Sequence, residues 1–419
     1  MPDLGPTDHA MANEAEAQAS MTQTETARPS GRPDGSRPKH GRSMRSIFLA
    51  LGIFTAVLFL AHRYFYVRLV LDPQLTGIAK SLATAFIAVA GSLIIAHPLL
   101  DRRFGPSVGQ VLGWPAHFWL ATCFYLLLTL GLSDLALLIA GLDGLEVMRQ
   151  RAWTVVGVVS AVMALGAYSG MRLPRVKNVD VALPDWPKAL DGFRIAQLSD
   201  VHIGTLIGKR FAARVTERVN ALSPDAIAIT GDLVDGSIEH IGDRVEPFGK
   251  LRARHGTYFV TGNHDYYSGA VSWCDRVRQL GITVLRNERV AVDHDGERLW
   301  IAGVDDYMLR RRSRADLDAA LGGLRETDPV VLLAHNPLTF EDAHKHGVSL
   351  QLSGHTHGGQ MWPFTWLVRL QTRFVAGLYK VGRSQLYVSL GTGYWGPPVR
   401  VLAPAEITLL TLRSSSTAS

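Results

Sequence analysis

The stretch LQLSGHTHGGQ, residues 350–360, places two histidines at alternate positions directly after an apolar run. Glycines at positions 354, 358 and 359 surround His355 and His357. Glycine carries no side chain, so it allows a backbone to turn tightly and to come close to another group. Two imidazoles held in such a loop at the end of a strand suggest that this group is a metal ion. Other parts of the chain must then supply the remaining ligands.

The composition of the 419 residues limits both the class of protein and the kind of metal site. This length is sufficient for two or three domains. The chain has two cysteines, Cys123 in an apolar segment and Cys274 further on, which predicts neither a disulfide framework nor a cysteine metal site. The net charge of +6 is modest, and many basic residues flank apolar segments. This placement is typical of membrane proteins and does not indicate a nucleic-acid-binding surface.

The chain divides into three parts of different composition. Residues 1–45 are polar and lack apolar periodicity, so we expect a disordered N-terminal tail. Residues 46–175 form the predicted membrane domain, because four apolar stretches at 46–61, 82–100, 118–139 and 152–171 are long enough, or nearly so, to cross about 30 Å of hydrocarbon. Residues 176–419 alternate short β-rich runs with amphipathic helical stretches, which predicts a layered α/β domain.

The basic residues that flank the four stretches predict an orientation. Nine Lys and Arg residues lie on one side of the spans and five on the other. The positive-inside rule then places the N-terminus and the C-terminal domain in the cytoplasm, in a multi-pass protein of the inner (plasma) membrane. Asp134 lies inside the third stretch, where an unpaired carboxylate is costly. We expect it to lie at the interface or to be paired within the bundle.

Five successive apolar runs of the C-terminal part each end in side chains that bind metals. Because chemistry in layered α/β folds collects beyond the ends of strands, these side chains are predicted to meet. A single polar residue at a strand end means little, but five such endings in succession are not expected by chance. The runs RIAQLSDVHIG, DAIAITGDLVDG, GTYFVTGNHDYY, PVVLLAHNP and VSLQLSGHTHGG contribute Asp200 and His202, Asp232 and Asp235, Asn263, His264 and Asp265, His335, and His355 and His357.

The order D-x-H, G-D-x-x-D, G-N-H-D, H and G-H-x-H resembles the calcineurin-like metallophosphoesterase superfamily, over roughly residues 176–412. The flanking LSDVHIG, GDLVDG, GNHDYY and GHTHGGQ are similar to its membrane-associated bacterial branch, which includes relatives of UDP-2,3-diacylglucosamine pyrophosphohydrolases. The resemblance implies two stacked β-sheets flanked by helices, the metallophosphoesterase sandwich, here preceded by about four transmembrane helices. It also implies a metal-dependent hydrolase acting on phosphoric ester bonds.

The resemblance implies seven metal ligands around two divalent ions. One ion would be held by Asp200, His202 and His357, the other by Asn263, His335 and His355, and Asp232 would bridge the two.

Two ions about 3.5–4 Å apart share a hydroxide and clamp both oxygens of an in-line displacement at phosphorus. Together with two ionised aspartates and one hydroxide they sum to about one net positive charge, which attracts an anionic phosphoester. The mixed imidazole, carboxylate and amide ligands favour Mn, Fe or Zn over Mg.

His264 follows a ligand in GNHD, and the resemblance implies that it faces the leaving group as a general acid or charge stabiliser. Asp235, the second aspartate of G-D-x-x-D, would orient its imidazole and raise its pKa. A turn cap is the alternative role for Asp235. GDLVDGS lacks the arginine that follows this aspartate in the related protein-serine/threonine phosphatases, and GNHD replaces their GNHE, so we do not expect a phosphoprotein substrate.

Two stretches bear on the substrate. MWPFTWLVRLQTRFVAGLYK, residues 361–380, follows the GHTH loop, and its aromatic residues Trp362, Phe364 and Trp366 lie either at the membrane interface or in the domain core. LRRRSR, residues 309–314, would bind anionic lipid or a substrate phosphate, or would simply be solvated.

The leading hypothesis is a membrane-anchored dimetal phosphoesterase that cuts a phosphodiester or pyrophosphate bond of a lipid-linked or nucleotide-linked substrate. Its expected partners are this phosphoester and membrane lipids, with no nucleic acid and no protein partner inferred. A tethered nuclease or cyclic-nucleotide phosphodiesterase is the enzymatic alternative. A non-catalytic sensor is another alternative, but it predicts missing ligands, and none of the seven positions is missing. A transporter is weaker still, since the spans hold few polar residues and no evident repeat.

Overall fold

Four long apolar helices form the first part of the computed structural model, which describes residues 44–306 and 315–415. They are α1 (Met44–Tyr66), α2 (Gly77–Phe104), α3 (Pro106–Ala140) and α4 (Leu145–Met171). Each is long and apolar enough to cross a membrane, over Phe48–Leu71, Gly77–Asp101, Ser107–Ala140 and Leu145–Met171. Nearly all of the predicted tail, and the arginine run at residues 309–314, lie outside the described residues.

The first span is longer than the apolar stretch that predicts it. A π-helical segment, Val67–Leu71, continues α1. The sequence YFYV therefore belongs to the span, as its aromatic and branched side chains allow.

Four charged side chains form an ion-pair cluster among the membrane helices: Arg68, Asp72, Asp134 and Arg151. Arg151 is almost fully buried and reaches Asp134 at 2.8 Å and Asp72 at 3.0 Å. Arg68 contacts Asp72 at 3.0 Å and Asp134 at 2.9 Å. The hydroxyl of Tyr64 donates to Asp134 at 2.7 Å. Two guanidinium groups balance two carboxylates. Asp134 is thus paired within the bundle, one of the two environments that its cost in lipid predicts.

The remaining chain builds two six-stranded mixed sheets. The first has the order β1-β12-β2-β3-β4-β5, and the second has the order β10-β11-β9-β8-β7-β6. The strands are β1 (Arg175–Pro184), β2 (Arg194–Leu198), β3 (Ala226–Thr230), β4 (Thr257–Val260), β5 (Thr283–Val284), β6 (Glu288–His294), β7 (Glu297–Gly303), β8 (Val330–Leu333), β9 (Leu350–Ser353), β10 (Gly377–Val381), β11 (Ser384–Val388) and β12 (Glu406–Ser415).

The shorter α-helices of this part are α5 (Lys209–Asn220), α6 (Ile238–Ile241), α7 (Asn263–Tyr267), α8 (Ala270–Gln279), α9 (Leu317–Leu321), α10 (Phe340–Ala343) and α11 (Thr365–Gln371). Helices α5 and α8 pack on the outer face of the first sheet, and α9 and α10 pack on that of the second. The central core lies between the sheets, where Ile195 and Tyr258 of the first sheet meet Leu333 and Leu352 of the second. The fold is therefore the predicted sandwich of two sheets flanked by helices.

Two loops of the sandwich pack directly on the membrane helices. The Tyr125 hydroxyl on α3 donates to the backbone carbonyl of Trp362 at 2.9 Å, and the amide of Arg400 donates to the carbonyl of Gly166 on α4 at 2.9 Å. Val399 is fully buried among membrane-helix side chains. The neighbouring aromatic side chains of Trp362 and Trp366 are 47% and 58% exposed, so they do not pack in the domain core.

Candidate metal centre

The strand ends bring the sequence-predicted residues to one edge of the sandwich. β2, β3 and β4 are parallel neighbours in the first sheet, and β8 and β9 are parallel neighbours in the second. The carboxyl ends of parallel neighbours lie at the same edge of a sheet, so the loops that follow them meet. All nine predicted site residues lie in these loops or in the short helices that continue them: Asp200, His202, Asp232, Asp235, Asn263, His264, His335, His355 and His357.

Five of these residues adopt a backbone conformation that residues other than glycine rarely take. The φ angles are 52° at Asp200, 52° at His202, 51° at Asp232, 74° at His355 and 50° at His357. Left-handed conformations cost energy and persist where the surroundings impose them, which is common at functional sites. The loops are therefore bent so as to aim their side chains inward.

Close approach of these loops depends on glycine at two positions. A side chain at Gly354 would overlap Ser199 and Asp200, and one at Gly262 would overlap Asp232. These two glycines let the GHTH and GNHD loops lie against the aspartate loops, which accounts for Gly354 of the opening stretch.

The first ligand group contains Asp200, His202 and His357, all buried. Nε2 of His202 lies 3.0 Å from Nε2 of His357, and the latter lies 3.5 Å from a carboxylate oxygen of Asp200.

The second group contains Asp232, Asn263, His335 and His355. Nε2 of His335 lies 3.2 Å from the Asp232 carboxylate and 3.2 Å from the amide oxygen of Asn263. Nδ1 of His355 lies 2.9 Å from the same amide oxygen. Asp232 also lies 3.9 Å from Nε2 of His202, so it stands between the two groups.

The donor set fits divalent metal ions. Nδ1 of His335 donates to the carbonyl of Thr230 at 2.9 Å, so the lone pair of a neutral ring is on Nε2 and faces the oxygens of Asp232 and Asn263. Lone pairs that face one another at this distance repel unless a cation lies between them. Ligand atoms bound at about 2.1 Å to one ion lie about 3–3.5 Å apart, in agreement with the separations in both groups.

The pKa values of the histidines reflect the negative charge of the buried carboxylates beside them. Burial by itself lowers the pKa of His202, but Asp235 and then Asp232 and Asp200 raise it to about 9. His335 likewise has a pKa well above its ordinary value, because Asp232 outweighs the effect of burial. Burial alone would raise the pKa of Asp232, yet the charge and hydrogen bond of His335 hold it well below its usual range. Without a metal ion, protons on the rings of His202 and His335 balance the negative charge of the carboxylates.

Asp235 contacts two histidines. Its carboxylate lies 2.5 Å from Nδ1 of His264 and 3.0 Å from Nδ1 of His202, where the alignment is too poor for a hydrogen bond. Partial burial by itself would raise the pKa of Asp235, but His202 and His264 hold it well below its usual range. The sequence motif indicates the contact with His264 and does not indicate the one with His202.

Two residues support the site without having been assigned a role from the sequence. Asp265 is fully buried and accepts hydrogen bonds from the amides of Leu233, Val234 and Gly262 at 2.8–3.2 Å, so it joins the GDLVD and GNHD loops. Asp265 is part of the GNHD motif, but its role depends on contacts between loops that the motif does not show.

Arg400 is the second such residue, and it lies behind the GHTH loop. It is fully buried, donates to the carbonyls of Leu390, Gly393 and Ala403, and lies 3.2 Å from Nδ1 of His357. A guanidinium group only donates, so Nδ1 of His357 accepts, and the proton of the neutral ring is on Nε2 until a cation replaces it. No motif of the sequence points to this arginine.

The profile of the family described as calcineurin-like phosphoesterase matches residues 193–359, which include all the strand ends described above. A Bos taurus relative named "Transmembrane protein with metallophosphoesterase domain" is 33% identical over 387 residues, 87% of this chain and 80% of the relative. The chain belongs to the calcineurin-like phosphoesterase family.

Two further relatives match mainly the sandwich. A Danio rerio protein with the same name is 37% identical over 270 residues, 62% of this chain and 62% of the relative. A Helicobacter pylori protein named "Uncharacterized metallophosphoesterase" is 41% identical over 251 residues, 59% of this chain and 66% of the relative. The chain thus spans less than two thirds of the length of these two relatives.

Family membership confirms the predicted superfamily, whose members are phosphoesterases. The family uses a dinuclear metal centre. The four candidate spans, together with relatives named as transmembrane proteins, indicate a membrane protein.

Proposed function

We propose that this protein hydrolyses a phosphodiester or pyrophosphate bond of a lipid-linked or nucleotide-linked substrate at a membrane surface. The observation that carries the proposal is the convergence of seven side chains that bind metals, whose ligand atoms lie 2.9–3.9 Å apart, as ligands of two cations would. Asp200, His202 and His357 would hold one ion, Asn263, His335 and His355 the other, and Asp232 would bridge them. Their mixed chemistry favours Mn, Fe or Zn.

Held by these residues, two divalent ions would polarise the phosphoryl group and supply a water-derived nucleophile at neutral pH. In the hydrolysis, the oxygen of water bonds to phosphorus, and the bond from phosphorus to the leaving oxygen breaks. His264 stands beside the ligands with its Nδ1–H donating to Asp235, so Nε2 of the protonated ring is the proton donor for that leaving oxygen. Asp235 orients the ring.

A membrane-linked substrate is supported by the packing of the loops at Trp362 and Arg400 on α3 and α4. The exposed aromatic side chains of Trp362, Phe364 and Trp366 lie beside this junction and suit a membrane interface. With the excess of basic residues on one side, they support a site on the cytoplasmic face of the plasma membrane.

The first test uses the full-length protein in lipid nanodiscs, stripped of metal by a chelator and reloaded with Mn. An aryl phosphodiester and the matching monoester serve as substrates. We expect diester turnover that requires metal and exceeds monoester turnover. A protein that binds two Mn ions per chain and hydrolyses neither ester would overturn the proposal. Preference for the monoester would overturn the assignment of the bond type.

A further inference from the structure

Two membrane-helix histidines line a cavity that also borders the candidate metal centre. His97 lies near the C-terminal end of α2, and His117 lies in the first half of α3. The cavity has a volume of about 190 Å³, and its walls also include His202, Asp235 and the loop at residues 204–207. A single ligand in this cavity would therefore contact both the membrane helices and the residues of the metal centre.

The loop at residues 204–207 closes the cavity against α3. A side chain at Gly113 would collide with Nε2 of His97 and with Leu206. The absence of a side chain at this position brings the sandwich loop, α2 and α3 together. The cavity is thus a feature of the packing between the two parts of the chain.

One nitrogen of each ring is committed to the backbone. Nε2 of His97 lies 3.0 Å from the carbonyl of Gly109, and Nδ1 of His117 lies 2.8 Å from the carbonyl of Gly113. A carbonyl only accepts, so both of these nitrogens carry protons. The rings are half-buried and stand edge to face, 5.2 Å apart.

The other nitrogen of each ring, Nδ1 of His97 and Nε2 of His117, has no hydrogen-bond partner among the groups that the structure describes, which leave out the side chains of residues 44–47, 102 and 106. When protonated, each donates to an anionic oxygen. The one carboxylate among the residues that line the cavity, Asp235, is already engaged by His202 and His264. While the rings are neutral these two nitrogens are acceptors, and each becomes a donor to an anion when its ring takes up a proton together with that anion.

We propose that His97 and His117 form a subsite that binds a second phosphate group of the substrate, next to the phosphate that is cut. The subsite rests on the proposed function, because the phosphate bound at the metal centre brings its neighbour into the cavity. A pyrophosphate presents two phosphoryl groups joined by one oxygen. One water occupies roughly 30 Å³ in the liquid, so the cavity has the volume of about six waters and accommodates the second group. A pyrophosphate-linked lipid and a soluble nucleotide pyrophosphate share this chemistry.

The double variant His97→Gln/His117→Asn tests the subsite without disturbing the helix contacts. The amide nitrogen of glutamine takes the place of Nε2 at residue 97, and that of asparagine takes the place of Nδ1 at residue 117. Both backbone carbonyls keep their donors, whereas the two nitrogens that have no backbone partner are lost. His346→Asn is the control, because His346 is exposed and bonded to Asp342 and Asp318.

Binding of inorganic pyrophosphate and of orthophosphate is measured by calorimetry on the Mn-loaded full-length protein in nanodiscs. We expect the ratio of pyrophosphate to orthophosphate affinity to fall by about tenfold or more in the double variant, since two hydrogen bonds to a charged group are lost. The number of bound Mn ions should stay at the wild-type value, and the control should keep the wild-type ratio. An unchanged ratio, or a parallel loss of bound Mn, would overturn the subsite.

Turnover identifies the source of the second phosphate. The substrates are CDP-diacylglycerol in phosphatidylcholine vesicles and soluble ADP-ribose. A loss of turnover in the double variant for the vesicle substrate alone assigns the subsite to lipid headgroups, and an equal loss for both assigns it to any pyrophosphate. If the wild-type protein hydrolyses neither substrate nor any aryl ester, the proposed function fails, and the binding ratio alone decides the subsite.

Discussion

The ion-pair cluster of the membrane helices and the candidate metal centre both bury ionisable side chains, but they balance charge in different ways. In the cluster, each carboxylate faces two guanidinium groups at 2.8–3.0 Å, and the formal charges sum to zero. In the centre, metal-binding atoms of His, Asp and Asn face one another, and the guanidinium group of Arg400 lies behind His357.

This difference separates a structural polar cluster from a binding site. Charges removed from water are stable only when opposite charges or hydrogen bonds compensate them. The cluster supplies that compensation from within, whereas the centre leaves it to a bound cation. A buried charged group therefore indicates a ligand only when its own neighbours do not balance it.

Loss of the carboxylate that stands between the two ligand groups should have the largest effect. We expect Asp232→Asn to lower metal-dependent diester turnover by more than about 100-fold. Mutation of a residue that only supports a metal ligand already lowers metal affinity or activity by about 10- to 100-fold. Metal analysis should show fewer than two Mn ions per chain. Asp134→Asn in the cluster is the matched control and should keep its metal. Full metal content and turnover in Asp232→Asn would contradict the bridging role.

Loss of one cation from the cluster should affect stability and leave metal binding intact. We expect Arg151→Met to lower the free energy of unfolding by about 3 kcal/mol, since two carboxylates then share one guanidinium group. The double variant Arg151→Met/Asp134→Leu restores charge balance and should recover part of the loss. Unfolding in detergent measures both, with Arg63→Met, an exposed arginine of α1, as control. Equal stability of the single and double variants would show that charge balance does not hold the cluster together.

Loss of the proton donor should depend on the leaving group. We expect His264→Asn to lower turnover of an alkyl phosphodiester by about 100-fold, the lower range for general acid catalysis. A nitrophenolate leaves without a proton, so turnover of the aryl diester should fall much less. Steady-state kinetics on both esters, with His240→Asn as an exposed control, test this difference. A uniform loss would assign His264 to structure or metal binding.

The smallest effect concerns protons that occupy the metal-free centre. His202 has a pKa of about 9 there, so its ring is protonated at neutral pH and a metal ion has to displace the proton. Mn affinity should therefore rise by up to about tenfold per pH unit between about pH 6 and pH 8.

Asp235→Asn removes the main cause of the raised pKa of His202. In this variant about one proton fewer should be displaced per bound Mn ion, so Mn affinity should rise less steeply with pH. Calorimetric titration with Mn in buffers of different pH measures the slope. A Mn affinity in the wild-type protein that does not change with pH would show that no proton is displaced.

The sequence by itself determined the sandwich, the four spans and the side chains that converge at the sheet edge. These features follow from local patterns: apolar runs of strand or span length, and polar motifs directly after each run. Each segment carries its own information about burial and chemistry, so Asp200, His335 and His357 could be named before any contact was known.

Only the tertiary structure decided which distant groups meet. Tyr64 and Asp134 are 70 residues apart, His357 and Arg400 are 43 residues apart, and His97 borders the same cavity as His202 and Asp235. No local pattern encodes these contacts, because they depend on how helices and loops pack once the sheets have formed. The balance of charge in the cluster, and its absence in the metal centre, is a property of that packing.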